Sequence, residues 1–227
     1  ARGGDIHDYW TDAPYAKSRD GIINPVNDRT DYFIASDFSK AVRHLGLAWA
    51  LTGDTRYAEK GVALLNAWMI NPATRMNPRF TNGQSRIELS TAMPAAFYGA
   101  DLLSTFKDWK PRQRAAVSAW ARALGRSARD WSETNNFENW RHVLMASAGA
   151  LTDDDNLLAT AFDAWKNFLP VATRTDGAFV HELGRTKSLG YSAYALNAML
   201  QTAEIARHAG VDLYTFQLPD GRGLERS

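Results

Sequence analysis

The sequence predicts an all-α chain, an array of antiparallel helical hairpins forming an incomplete (α/α) toroid. Three observations lead there. From Ser36 onward, apolar residues recur at helical spacing. The helical stretches are joined by short connections, which fold neighbours back as antiparallel pairs. No alternating stretch is long enough to read as a strand. At 227 residues and 45% hydrophobic, the chain can bury one sizeable core. No composition shift marks a boundary, so one domain over residues 1–227 is expected.

The elements follow in order. The first 35 residues read as irregular, being rich in Pro, Gly, Asn and Asp. "SDFSKAVRHLGLAWALTG" then puts Phe38, Val42, Leu45 and Trp49 on one stripe and stops at Gly53. Asp54 is placed to cap a second helix, which ends before Pro72. The loop "NPATRMNPRFTNGQS" leads to a helix over roughly 86–108, and Pro111 suits the first turn of the next. A further helix begins within "RDWSETNNFENWRHVLMASAGALT" and ends near Thr152. "DDDNLLATAFDAWKNFL" runs to Pro170, a loop or extended passage follows, and a last long helix spans about Ser188 to His208.

Composition narrows the function. A net charge of +1 exerts no long-range pull, so nucleic acid and membrane are not expected partners, and an anionic partner must be gripped locally. Cysteine is absent, which removes disulfides, thiolate metal sites and a cysteine nucleophile. The five histidines lack ligand spacing, so neither a metal nor another cofactor is expected. No apolar run matches a membrane span, and "ARGGDIHDYW" has no signal-peptide core. A monomer is expected.

Three polar clusters carry the chemistry. Asn135, Asn136 and Asn139 crowd the start of one helix, although asparagine is a poor helix former and costly to bury unpaired. One serves as an N-cap; capping does not explain the others. Asn136 and Trp140 share one helical face, and Asn135, Asn139 and His142 another. In "DGAFVHELGRTKSLGYSAYAL", Arg185 precedes a helix on which Tyr191 and Tyr194 stand above Ala195 and Ala198, small residues that leave room. The rival reading makes both rings core and Arg185 a surface charge. In the 72–86 loop, Arg75, Arg79, Asn82, Gln84 and Arg86 suit carboxylates, because a guanidinium fork grips them in bidentate fashion. A solvated loop is the alternative there. All three clusters flank helix ends and are expected to line one cleft.

At these residues the chain resembles the alginate lyase family of polysaccharide lyases. The likeness runs from about residue 5 to 214, through "HDYWTDAPY", "LTGDTRYAEKGVALLNAWMINPATRMNP", "NNFENW" and "DGAFVHELGRTKSLGYSAYAL". It implies an α/α toroid that cleaves uronic-acid polysaccharides by β-elimination, usually without a metal. By the same resemblance, Asn136 and Arg185 neutralise the substrate carboxylate, and Tyr191 is the catalytic tyrosine, with Tyr194 its alternative. The family usually has histidine where this chain has Phe137. His181, or less readily His142, would stand in for it. Asn135, Trp140, His142, Tyr194, Gln84, Arg79 and Arg86 are expected to contact the sugar chain.

The implied substrate is an anionic polysaccharide, alginate rich in mannuronate, met in the periplasm or outside the cell. Other uronate polymers, an inactive sugar-binding relative and a hydrolase are the alternatives. A hydrolase needs a carboxylate pair. Glu133, Glu138 and Glu182 lie near the motifs, and none has an evident partner in the sequence.

Overall fold

The computed structural model describes residues 7–12, 20–22 and 26–227. The chain is all-α. Among the described residues there is no β-strand, only isolated bridges such as Asp8 with Asn77 and Thr173 with Phe179. Although no boundary is legible in the sequence, the chain divides into two compact units. One holds residues 1–13 and 26–124, the other residues 14–25 and 125–227. The division falls inside a helix, where nothing in the composition changes.

The first unit is built on α1 (Thr30–Thr52), α2 (Thr55–Leu65) and α3 (Gly83–Leu103). Helix α1 starts six residues before the predicted Ser36. Its N-cap, Arg29, makes no side-chain cap. Two aspartates hold the start: Asp28, just before it, accepts the Thr30 amide (3.0 Å), and Asp31 accepts that of Trp10, 21 positions away (2.7 Å). Asp54 caps α2 as expected, and the helix runs on through a π turn, Asn66–Ile70. That turn presents Trp68 to Phe38, stacked at 4.4 Å.

Helix α3 begins before the predicted residue 86 because Asn82 and Ser85 form a capping box. Helices α1 and α3 meet through glycine. A Cβ on Gly99 would stand 2.6 Å from the backbone carbonyl of Val42, and one on Gly46 would stand 2.7 Å from the Gly99 oxygen. Backbone cannot retreat as a side chain can. Gly99→Ala is therefore expected to destabilise the chain by about 1–3 kcal/mol through overpacking. A denaturant titration of the variant checks this, and an unchanged midpoint would contradict it.

Helix α4 (Pro111–Ser127) starts at the predicted proline. In the second unit, α5 (Asn136–Leu151) is buried from Asn136 to Gly149 except at Phe137. A helix so enclosed must be small or well partnered on every side. It packs against α6 (Asp155–Ala172) and α8 (Ser188–His208). Helix α6 offers Leu157, Ala161, Trp165, Phe168 and Leu169 as one stripe and passes Pro170 by two residues. Helix α8 buries Ala195, Ala198, Met199 and Ala203. The room below the two tyrosines is thus taken by α5 rather than left open. The passage expected to be loop contains α7 (Val180–Leu183), a single helical turn.

Candidate active site

The paired asparagines at the start of α5 divide two tasks. Asn135 is the N-cap, its Oδ1 accepting the Phe137 amide at 2.9 Å. Asn136 donates its backbone N–H (2.7 Å) and its Nδ2 (2.9 Å) to Oε1 of Glu182 on α7. Both side chains are buried: Asn136 and Glu182 are each 1% exposed. Glu182 Oε2 accepts from Arg185 Nη1 at 3.2 Å, and Arg185 gives Nε and Nη2 to Asp20 Oδ1 at 2.9 and 2.7 Å. The guanidinium lies 3.9 Å from the centroid of the Tyr191 ring. A continuous row results: Asn136, Glu182, Arg185, Tyr191.

Two carboxylates thus hold one guanidinium. The hydrogen bond from Arg185 keeps the Asp20 carboxyl well below the usual range, so Asp20 is an anion at neutral pH. The same bond raises Arg185, with the Glu182 charge adding to it. Asp20 also accepts the Thr186 amide at 3.0 Å, which ties this segment to the start of α8. Gly21 follows with φ +73, and a Cβ there would lie 3.8 Å from the Tyr191 hydroxyl.

Beside this row lies a small pocket of about 10 Å³, room for one water-sized group, lined by Asn135, Asn136, Asn139, Phe168, His181 and Glu182. Two of these lining residues carry a buried polar atom without a partner among the described residues, Asn139 Oδ1 and His181 Nε2.

Other predicted contacts are placed differently. His142 is 0% exposed, so it has no surface to offer a polymer, contrary to expectation. Its Nε2 lies 3.1 Å from Glu138 Oε1, and its ring meets Phe168 edge-on. Trp140, 6% exposed, is likewise core, packed 4.8 Å from the ring of Tyr194. Gln84 turns to Glu88 (2.9 Å), and Arg79, exposed, pairs with Asp8 at 3.2 Å. Arg86 is half-buried at the start of α3. These three belong to the first unit, where Glu88 also binds Tyr9 and Arg29, each at 2.7 Å.

Sequence reasoning missed the anchoring carboxylates. Asp20 lies 165 positions from Arg185, and no pattern in the sequence links them. Glu138 was legible in principle, because Arg141 and His142 follow at i+3 and i+4. It takes a bidentate grip from Arg141 and the His142 bond. Burial pushes its carboxyl up, but these bonds outweigh burial and hold it at about 2. A carboxylate so bound is no general acid, which removes it from a hydrolase pair. Being ionised, it only accepts, so His142 carries its proton on Nε2. Among the described residues no group of three His, Cys, Asp or Glu is placed to hold a metal, and no helix is long and apolar enough to cross a membrane.

Comparison with known proteins gives consistent likenesses. The family described as Alginate lyase matches residues 1–227. A polysaccharide lyase of Stenotrophomonas maltophilia (strain K279a) is 28% identical over 176 residues, 71% of this chain and 50% of its own length. An alginate lyase structure from Bacteroides ovatus superposes with a TM-score of 0.86 at 28% identity, over 98% of this chain and 67% of that one. A histidine-to-alanine variant of alginate lyase A1-III, complexed with a tetrasaccharide, gives a TM-score of 0.83 at 23% identity, over 96% of this chain and 62% of that one. The chain spans half the length of the curated relative it matches. The fold class read from the sequence, all-α of the α/α-toroid type, is the one these likenesses show.

Proposed function

Because the chain belongs to the alginate lyase family, we propose that it is a polysaccharide lyase cleaving an alginate-type polyuronide by β-elimination. The row Asn136–Glu182–Arg185–Tyr191 carries this reading, since it sets amide, guanidinium and phenol side by side within one unit.

The C5 proton of a uronate is weakly acidic, and its removal builds negative charge on the adjacent carboxylate. Catalysis needs donors fixed around that carboxylate beforehand. Arg185 and Asn136 supply them. Asp20 now holds the edge of Arg185 that a uronate would use, so binding exchanges one carboxylate for another. Glu182 is a positioning residue whose Oε1 fixes both the backbone and the side-chain amide of Asn136. Tyr191, whose ring lies 3.9 Å from the Arg185 guanidinium, is the phenol beside these donors.

Tyr191 then takes the C5 proton and returns it to the departing O4 oxygen. The C5–H and C4–O bonds break, a C4=C5 double bond forms, and the leaving sugar regains a hydroxyl. One group can serve both steps only when proton and oxygen lie on the same face. Mannuronate meets that condition, and Phe137 in the usual histidine position removes the second group that opposite-face elimination needs. Alginate rich in mannuronate is therefore the substrate we favour.

The test is a panel of uronic-acid polymers. An unsaturated product absorbing in the ultraviolet, largest on polymannuronate, is the expected result. Reducing ends without absorbance would make the chain a hydrolase, and binding without products a sugar-binding relative. Either outcome ends the lyase reading.

A further inference from the structure

We propose that the pocket at the N-terminus of α5 is a subsite that reads a single sugar hydroxyl, with Asn139 and His181 as its specificity determinants. Asn139 is 2% exposed, yet its Oδ1 has no partner among the described residues, and the Nε2 of His181, a second lining residue, is equally unmatched. An unpaired buried polar atom destabilises the fold, and a ligand group of matching chemistry would remove that cost.

The surroundings define that group. A helix start ordinarily favours an anion. Here its amides are already satisfied: Asn136 by Glu182, Phe137 by the Asn135 side chain, Glu138 by the Asn135 carbonyl. Glu182 is therefore the resident anion. A second carboxylate in this pocket would face both Glu182 and the carbonyl oxygen of Asn139. The incoming group must donate a hydrogen bond to Asn139 Oδ1 and remain neutral. A hydroxyl does both, and its lone pairs can accept from His181 Nε2–H. In a polyuronide, which is the substrate reading this inference rests on, such a group is a ring hydroxyl. Asn136 lines the same pocket, so the hydroxyl sits beside the gripped carboxylate. Esterifying it removes the donated proton and adds bulk.

The test compares polymannuronate with a chemically O-acetylated sample of the same polymer, using the unaltered chain and Asn139→Ala. The unaltered chain is expected to prefer the free polymer in kcat/KM. In Asn139→Ala, KM on the free polymer should rise by about 2–10-fold, the worth of one hydrogen bond. The preference between the polymers should narrow, with kcat little changed. Thermal unfolding of both proteins is measured alongside. A shifted unfolding temperature with unchanged KM and preference would mean that the pocket seats only a structural water, and would overturn the proposal. Should Asn139→Ala not fold, the unaltered chain decides: equal kcat/KM on both polymers also overturns it. If no polyuronide yields an unsaturated product, the lyase reading fails separately. Calorimetric titration with free and O-acetylated mannuronate oligosaccharides then tests the subsite alone, and equal affinities would refute it.

Discussion

Tyr191→Phe is expected to lower turnover by about 10²–10⁴-fold, the usual contribution of a general acid–base step. The substitution removes the one oxygen proposed to move the proton and leaves the ring, with Arg185 still 3.9 Å above it. Polymer binding should therefore persist, because Arg185, Asn136 and Glu182 keep their bonds. Tyr194→Phe should cost far less, since the Tyr194 ring packs on Trp140. Steady-state kinetics and oligosaccharide titration of the two variants, side by side, make the comparison. Near-normal turnover in Tyr191→Phe would sink the assignment. If His181→Ala then proved the dead variant, a histidine route would replace it.

The second large effect concerns stability. Glu138 is 5% exposed and pairs with Arg141, itself 8% exposed, and with His142. Glu138→Gln would leave the Arg141 charge buried without its counter-ion, which typically costs about 3–5 kcal/mol. The pH dependence follows from the same network. In the folded chain Glu138 titrates at about 2 against an ordinary 4.5. Its stabilisation, on the order of 3 kcal/mol, is complete above the ordinary value and is lost as pH falls towards the folded one. Burial also pushes His142 down from 6.5, against the pull of Glu138. The unfolded chain therefore binds a proton below 6.5 that the folded chain refuses, and this too costs stability in acid. Unfolding temperatures should begin to fall below about pH 6.5 and drop more steeply below about 4.5. Glu138→Gln should make the steeper part shallower, leaving the share of other lowered carboxylates such as Asp20. A profile flat down to pH 3 would refute the scheme.

How much was legible differs between helix bodies and the site. Helix α8 was read to the residue at both ends, and α2 and α4 were placed at their starts by Asp54 and Pro111, because local chemistry governs those points. Helix α1 was begun too late because its start depends on Asp28 and Asp31, with no capping side chain at Arg29. At the site, the sequence made one of the crowded asparagines a cap, and the structure gives that task to Asn135. His142 and Trp140 were misplaced because helical periodicity tells which residues share a face, not whether a third helix covers it.

The sequence by itself determined the all-α class, the helix order and the residue types that a uronate chemistry needs. These rest on interactions a few positions long: caps, apolar spacing and short connections. Only the tertiary structure decided that Glu182 joins Asn136 to Arg185, that Asp20 holds Arg185 over Tyr191, and that Asn139 and His181, each with an unmet polar atom, line one pocket. The reason is physical. A buried polar atom is satisfied by whatever the fold brings within about 3 Å, and that partner can lie anywhere along the chain.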